Sequence, residues 1–206
     1  MNTIITIGRQ FGSGGREIGL KLAEIYNIPF FDKEILARAS KESGLCQELF
    51  EQNDEKGAKS FFYSLVMGAS YMGYTNANPE LNIGQKIFLA QFDSIKKIAN
   101  EGPCVIVGRC SDYVLEEYTN CVDVFIHADL SKRCKKIMKS MDLSEKKALD
   151  LIVKTDKERM SYYNYHTNRK WGDMNNYNLT IDSSVLGIDG SVEIIKNFID
   201  LKEKKL

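Results

Sequence analysis

An excess of either charge is missing from this sequence. The 28 Lys and Arg residues are balanced by 28 Asp and Glu, so the formal net charge is zero. That excludes the basic coat of a general nucleic-acid binder and leaves only a local basic cleft open. Cysteine is sparse and carries no pattern. Cys46, Cys104, Cys110, Cys121 and Cys134 are odd in number and include no C-x-x-C pair. This argues against a disulfide framework and against a zinc site. Cys104 and Cys121 sit in apolar runs and read as small buried hydrophobes. Reduced thiols in a cytoplasmic protein are the simplest account. Only two histidines occur, His127 and His166, far apart and without metal-ligand spacing. No apolar stretch approaches the ~20 residues that span a bilayer. The opening M-N-T-I-I-T-I also lacks the basic head and long apolar run of a signal peptide. Neither a membrane nor a nucleic acid is therefore expected as a partner.

What is present fits a globular chain. Its 206 residues suit one medium-sized domain, and 43% hydrophobic residues suffice for a sizeable core. Four β-branched runs stand out at 3–7, 28–31, 104–107 and 122–126, with a weaker fifth at 179–181. They do not alternate with polar residues, as expected for strands buried on both faces. Helix-compatible segments separate them, with apolar positions at helical spacing in 83–100, 130–141, 144–163 and 192–201. Strand and helix in alternation predict an α/β fold: a parallel five-stranded sheet with helices on both faces. Two segments break the alternation. Residues 44–82 form an insert with a Phe/Tyr/Met stripe at 61–74, which reads as core or a dimer surface. Residues 160–178, rich in Tyr, Asn and His, read as a mobile polar loop that closes as a lid. We take residues 1–206 as one domain carrying both, and leave monomer and homodimer open.

The first strand runs into Gly8-Arg9-Gln10-Phe11-Gly12-Ser13-Gly14-Gly15-Arg16, followed by a helix. Strand, glycine-rich turn and helix is the arrangement that holds phosphate. Glycines let backbone N–H groups approach anionic oxygens, and the helix start adds free N–H groups and the positive end of its dipole. The loop departs from G-x-x-x-x-G-K-[ST]. Six residues separate Gly8 from Gly15, Arg16 stands for Lys, and Glu17 stands for the Mg²⁺-binding hydroxyl. Two other readings compete. Gly12 and Gly14 supply part of a G-x-G-x-x-G dinucleotide loop, with Asp32 after the second strand as its ribose-binding acid. A glycine turn without a ligand is the third. Candidate partners of the loop follow later strands. Asp32 can orient metal-bound water or the acceptor, or simply cap a helix. Arg38 follows it on the acceptor side. Arg109, in Val107-Gly108-Arg109, can grip phosphate with two parallel hydrogen bonds. Trp171 reads equally as cover for a base or as a packing anchor.

These motifs carry a resemblance. The glycine-rich loop, Phe31-Asp32-x5-Arg38, Val107-Gly108-Arg109 and Leu179-Thr180-Ile181-Asp182-Ser183-Ser184 occur in the order seen in cytidylate kinases. The chain resembles more closely the cytidylate kinase-like family of bacterial proteins, whose G-R-Q-F-G-S-G-G-R-x-I-G, V-G-R-C and W-G-D … Y-x-L-x-x-D-S-S tracts it shares from Ile5 to about Ile195. The resemblance implies a P-loop nucleoside monophosphate kinase that uses ATP and Mg²⁺ and takes a small nucleotide acceptor. On that reading Gly8, Gly12, Ser13, Gly14, Gly15, Arg16, Glu17 and Arg133 bind the donor phosphates. Asp32, Arg38, Arg109 and Arg169 hold the acceptor, and Arg16, Asp32, Arg109 and Arg159 serve the transfer. Lys136 adds charge near the lid. Mg²⁺ would arrive with the nucleotide, with Asp32 the one candidate contact. The competing functions are a catalytically inactive nucleotide-binding regulatory module and a dinucleotide-dependent oxidoreductase.

Overall fold

The computed structural model describes residues 2–52 and 83–205. Most of the expected insert, including the 61–74 stripe, lies outside them. Five strands form one all-parallel sheet: β1 (Ile4–Arg9), β2 (Phe30–Phe31), β3 (Val105–Val107), β4 (Cys121–His127) and β5 (Leu179–Asp182). All five were expected. Their spatial order is β2-β3-β1-β4-β5. β1 pairs Ile5 with Val105 on one side and with Val122 on the other. A dinucleotide-binding sheet sets its second strand directly beside the first, in the order 3-2-1-4-5-6. Here β3 intervenes between β2 and β1, so the dinucleotide reading of the loop is overturned by topology.

Side chains alternate across β1 and load both faces. Ile5 and Ile7 face helix α1 (Gly15–Tyr26) and the last helix α8 (Ser183–Glu203), packing with Ile18, Leu22 and Ile195. Ile4 faces the other way, toward Ile95 and Ile98 of α4 (Ile83–Glu101) and Ile35 of α2 (Glu34–Ser43). These isoleucines are completely buried, or nearly so. Each contributes about 1.5–3 kcal/mol by removal from water, and a polar residue at Ile5 or Ile7 would break the α1–α8 layer. Short α3 (Gln47–Gln52) seals the edge of α2 with Phe50. Another short helix, α5 (Ser111–Val114), follows β3. β4 leads into α6 (Leu130–Met141), and α7 (Glu145–Thr167) comes next. Asp129 starts α6 by accepting the N–H groups of Ser131 and Lys132 at 2.8 and 3.2 Å.

The helix expected over 144–163 runs four residues further, into the segment read as a mobile loop. Residues 160–167 continue α7, and Tyr162 and Tyr163 are buried against Cys110. Tyrosine blurred the pattern because its ring packs while its hydroxyl still needs a partner. Tyr162 donates to Gln91 at 3.0 Å and Tyr163 to Asp112 at 2.6 Å. Past Asn168 the chain folds back over the sheet. Trp171 meets the Phe125 ring edge-on at 5.3 Å, and Tyr177 tilts against it at 5.0 Å. No helix among the described residues is long and apolar enough to cross a membrane.

Candidate functional site

The glycine-rich loop lies at the carboxyl end of β1, where an open α/β sheet presents its crevice. An open cleft of about 560 Å³ stands over it. The loop and the start of α1 form the floor, Asp32 and Lys33 one side, and Thr155, Glu158 and Arg159 of α7 the opposite wall. Gly12 and Gly14 adopt φ of +80° and +85°, which turns the chain sharply before α1. Gly14 is the residue that closes the turn, and Gly15 is the first helical residue. Gly8 belongs to the strand. A Cβ there would lie 2.8 Å from the Phe125 ring, so close packing accounts for that glycine. The Ser13 hydroxyl turns inward and donates to the Gln10 carbonyl at 2.8 Å, bracing the loop from within.

Arginines converge on Asp32. Arg109 donates from Nη1 to Asp32 Oδ1 at 3.0 Å and to the Val107 carbonyl at 3.1 Å. Arg16 donates from Nε to the other carboxylate oxygen at 2.9 Å and lies over the Phe30 ring at 5.4 Å. Burial opposes ionisation of Asp32, yet the Arg109 and Arg9 guanidiniums and the hydrogen bonds of Arg109 and Arg16 hold its carboxyl below the ordinary value. Asp32 therefore works as a charged anchor between arginines, with both oxygens engaged, rather than as an open metal ligand. Arg109 is almost fully buried while Arg16 is largely exposed to the cleft. Arg159 donates to the Arg9 carbonyl at 3.2 Å and covers the Phe11 ring.

Three expected residues lie elsewhere. Arg38 pairs with Glu42 and Glu101 on the outer face of α2 and α4. The i,i+4 geometry of α2 favours that pairing over a reach to the cleft. Arg169 pairs with Glu116 and covers the Tyr113 ring. Arg133 is buried beneath the loop and bonds to Asp156 at 2.6 Å, Ala128 at 3.0 Å and the Phe11 carbonyl at 3.2 Å. Asp156 also accepts the Phe11 N–H at 2.7 Å, so this ion pair grips both polar groups of one loop residue. Arg133 thus shapes the phosphate loop and does not line the cleft. Glu17 and Lys136 do line it and pair with each other.

A second, smaller hollow adjoins the first and shares Arg9 and Arg159 with it. It lies among Arg109, Tyr163, Trp171 and Asp112. Burial pushes the Asp112 carboxyl up to about 6 against the hydrogen bond from Tyr163. Reading the sequence missed Asp112, Asp156 and Arg9. Arg9 had the only local signal, a charged residue between Gly8 and the rest of the loop. Among the described residues no group of three or more His, Cys, Asp or Glu could hold a metal ion. The arginines that line the cleft are donors suited to an anion such as phosphate.

Comparison with known proteins bears on the family and the fold. The model of the cytidylate kinase-like family matches residues 4–185. A cytidylate kinase of Methanococcus aeolicus is 24% identical over 98% of this chain and 99% of its own length. Among solved structures, an uncharacterized protein from Eubacterium ventriosum superposes with a TM-score of 0.72 at 32% identity, covering 96% of this chain and 98% of that one. A shikimate kinase from Bacteroides thetaiotaomicron gives a TM-score of 0.55 at 13% identity, with coverage of 97% and 99%. A gluconokinase from Sinorhizobium meliloti gives 0.53 at 12%, with coverage of 99% and 97%. The last two share the fold of P-loop kinases with this chain.

Proposed function

This chain belongs to the cytidylate kinase-like family, and from that premise we propose that it transfers the γ-phosphoryl group of MgATP to a nucleoside monophosphate, with cytidylate the first candidate. One observation carries the reading: the glycine loop opens into a cleft bordered by Arg9, Arg16 and Arg159, with the buried Arg109–Asp32 pair behind it. Phosphoryl transfer asks little covalent chemistry of the protein. It needs the reacting groups in line and the charge on the transferred group neutralised. Loop N–H groups and the start of α1 take the donor phosphates. A phosphate oxygen of the acceptor attacks the γ-phosphorus, the bond to the β,γ-bridging oxygen breaks, and ADP leaves. Arg16 and Arg159 border the space where charge develops, and Asp32 holds Arg16 and Arg109 in place. The acceptor would lie toward the smaller hollow, beneath Trp171. Residues 168–178 would exclude water there, which limits wasteful hydrolysis of ATP.

The test is direct. Purified protein is supplied with MgATP and each nucleoside monophosphate in turn, and ADP is followed in a coupled assay. ADP formation that depends on the acceptor and is fastest with CMP is expected. ATP binding without acceptor-dependent ADP from any member would replace the kinase reading with that of a nucleotide-binding regulatory module.

A further inference from the structure

The backbone resolves an ambiguity in the loop that concerns its cation. G-x-x-x-x-G-K-[ST] can be laid on this sequence in two registers. Arg16 takes the lysine position if the second glycine is Gly15. If it is Gly14, the lysine position falls on Gly15, the hydroxyl position on Arg16 and the first glycine on Arg9. The second glycine closes the loop immediately before the helix, and here that residue is Gly14, with φ +85° and α1 beginning at Gly15. The second register therefore holds, and it leaves the lysine position without a side chain.

Arg9 fills the space. A Cβ built on Gly15 would lie 2.6 Å from Arg9 Cβ and 3.2 Å from its Cγ, so Gly15 is small because the stem of Arg9 passes against it. Arg9 ends β1, is nine-tenths buried, and lines both the large cleft and the adjoining hollow. Arg16, one residue further along α1 than the lysine position, is directed to Asp32 instead. Resting on the donor site proposed above, we infer that Arg9 supplies the phosphate-loop cation, delivered from the end of β1 across Gly15 rather than from the first turn of α1. Its charge also reaches Asp32 and helps keep that carboxylate ionised. A guanidinium grips two phosphate oxygens at once where an ammonium acts as a point charge. The exchange of positions explains two oddities together: an arginine where the loop's first glycine is expected, and a glycine where its lysine is expected.

A charge relocation tests this. Gly15→Lys alone should fold poorly, because its Cβ meets a Cβ and not a flexible tip. Arg9→Gly together with Gly15→Lys removes the obstruction and returns the cation to the helix. Equilibrium binding of MgATP to the full chain, by calorimetry, is compared for the wild type, Arg9→Gln, Arg9→Lys and the double variant, with thermal unfolding as the check on folding. Arg9→Gln should weaken MgATP binding at least tenfold. Arg9→Lys should lose less, and the double variant should recover to within about threefold of the wild type. MgATP binding that survives Arg9→Gln within threefold would overturn the assignment while leaving the donor site standing, as would a well-folded double variant no better than Arg9→Gln. A wild-type chain that binds no MgATP would sink the donor site and this assignment with it.

Discussion

At the scale of single residues, the site depends on one buried carboxylate. Asp32 is held by Arg109 from the interior and by Arg16 from the cleft. Removing one member of a buried pair leaves the other charged and unsolvated, which typically costs about 3–5 kcal/mol. Arg16 stays on the second oxygen, so Arg109→Ala should fall at the lower end, about 3 kcal/mol in urea unfolding. Adding Asp32→Asn removes the stranded charge. The double variant should therefore lose less than the sum of the two singles, a coupling of about 1 kcal/mol or more. Additive losses would show that Arg109 acts independently of Asp32. The same burial alters the role of Arg109. Its sequence context suggested a phosphate ligand in its own right, but in the fold it is first the residue that fixes Asp32, and through Asp32 the position of Arg16.

At the scale of elements, the phosphate loop is set by a helix that sequence order places far from it. The Arg133–Asp156 pair joins α6 to α7 and grips the backbone of Phe11 from beneath. Asp156→Ala removes the acceptor of the Phe11 N–H and the partner of Arg133 in one step. Faster amide hydrogen exchange is expected across residues 9–14, with little change in β1 and β4, since local opening follows local loss of hydrogen bonds. Unchanged exchange in the loop would show that the glycine turn holds its shape without the brace. The brace also marks the limit of what could be read beforehand. All five strands were legible as short apolar runs, a pattern that burial on both faces imposes on β1, β3 and β4, while the edge strands β2 and β5 are only partly buried. The loop was legible for a similar reason, since a sharp turn with positive φ requires glycine. Partners were not. Arg38 and Arg109 both follow strands in motif-like contexts, yet Arg38 faces Glu101 on the surface and Arg109 faces inward. The direction of a side chain depends on which helices pack beside it, and no local spacing encodes that. For the same reason Asp156 and Asp112, ordinary helical acids in the sequence, emerged as partners only when α7 was seen against the sheet.

At the scale of the whole molecule, α7 joins the cleft to the core, and two titrating contacts, one to the buried Asp112 and one through the half-buried His166, act in opposite directions. Tyr163 of α7 meets Asp112 after β3, and His166 stacks on Phe88 of α4 at 4.1 Å. Burial raises Asp112 to about 6, opposed by the Tyr163 hydrogen bond and by Arg169 and reinforced by Asp123. Burial alone lowers His166 to about 4. Between about pH 4 and 6 the folded chain keeps a proton on Asp112 that the unfolded chain has released. Stability from this group is therefore greatest at the acid end and declines as pH rises toward 6. His166 behaves oppositely. The unfolded chain binds a proton near 6.5 that the folded chain refuses, so its stabilising effect is complete above 6.5 and is lost as pH falls toward 4. In the wild type the two slopes offset each other, and single substitutions should separate them. Asp112→Asn keeps an acceptor for Tyr163 and should make stability rise from about pH 5 to about 7.5. His166→Phe keeps the stack on Phe88 and should make it fall over the same interval by about 1 kcal/mol, since a tenfold difference in proton affinity between the folded and unfolded chain is worth about 1.4 kcal/mol. Urea unfolding at the two pH values measures both changes. Parallel profiles for the wild type and both variants would mean that neither group is buried as the packing of α7 requires. Opposite slopes would show that Asp112 and His166 both titrate as their burial dictates, and that in the wild type each offsets the pH dependence of the other.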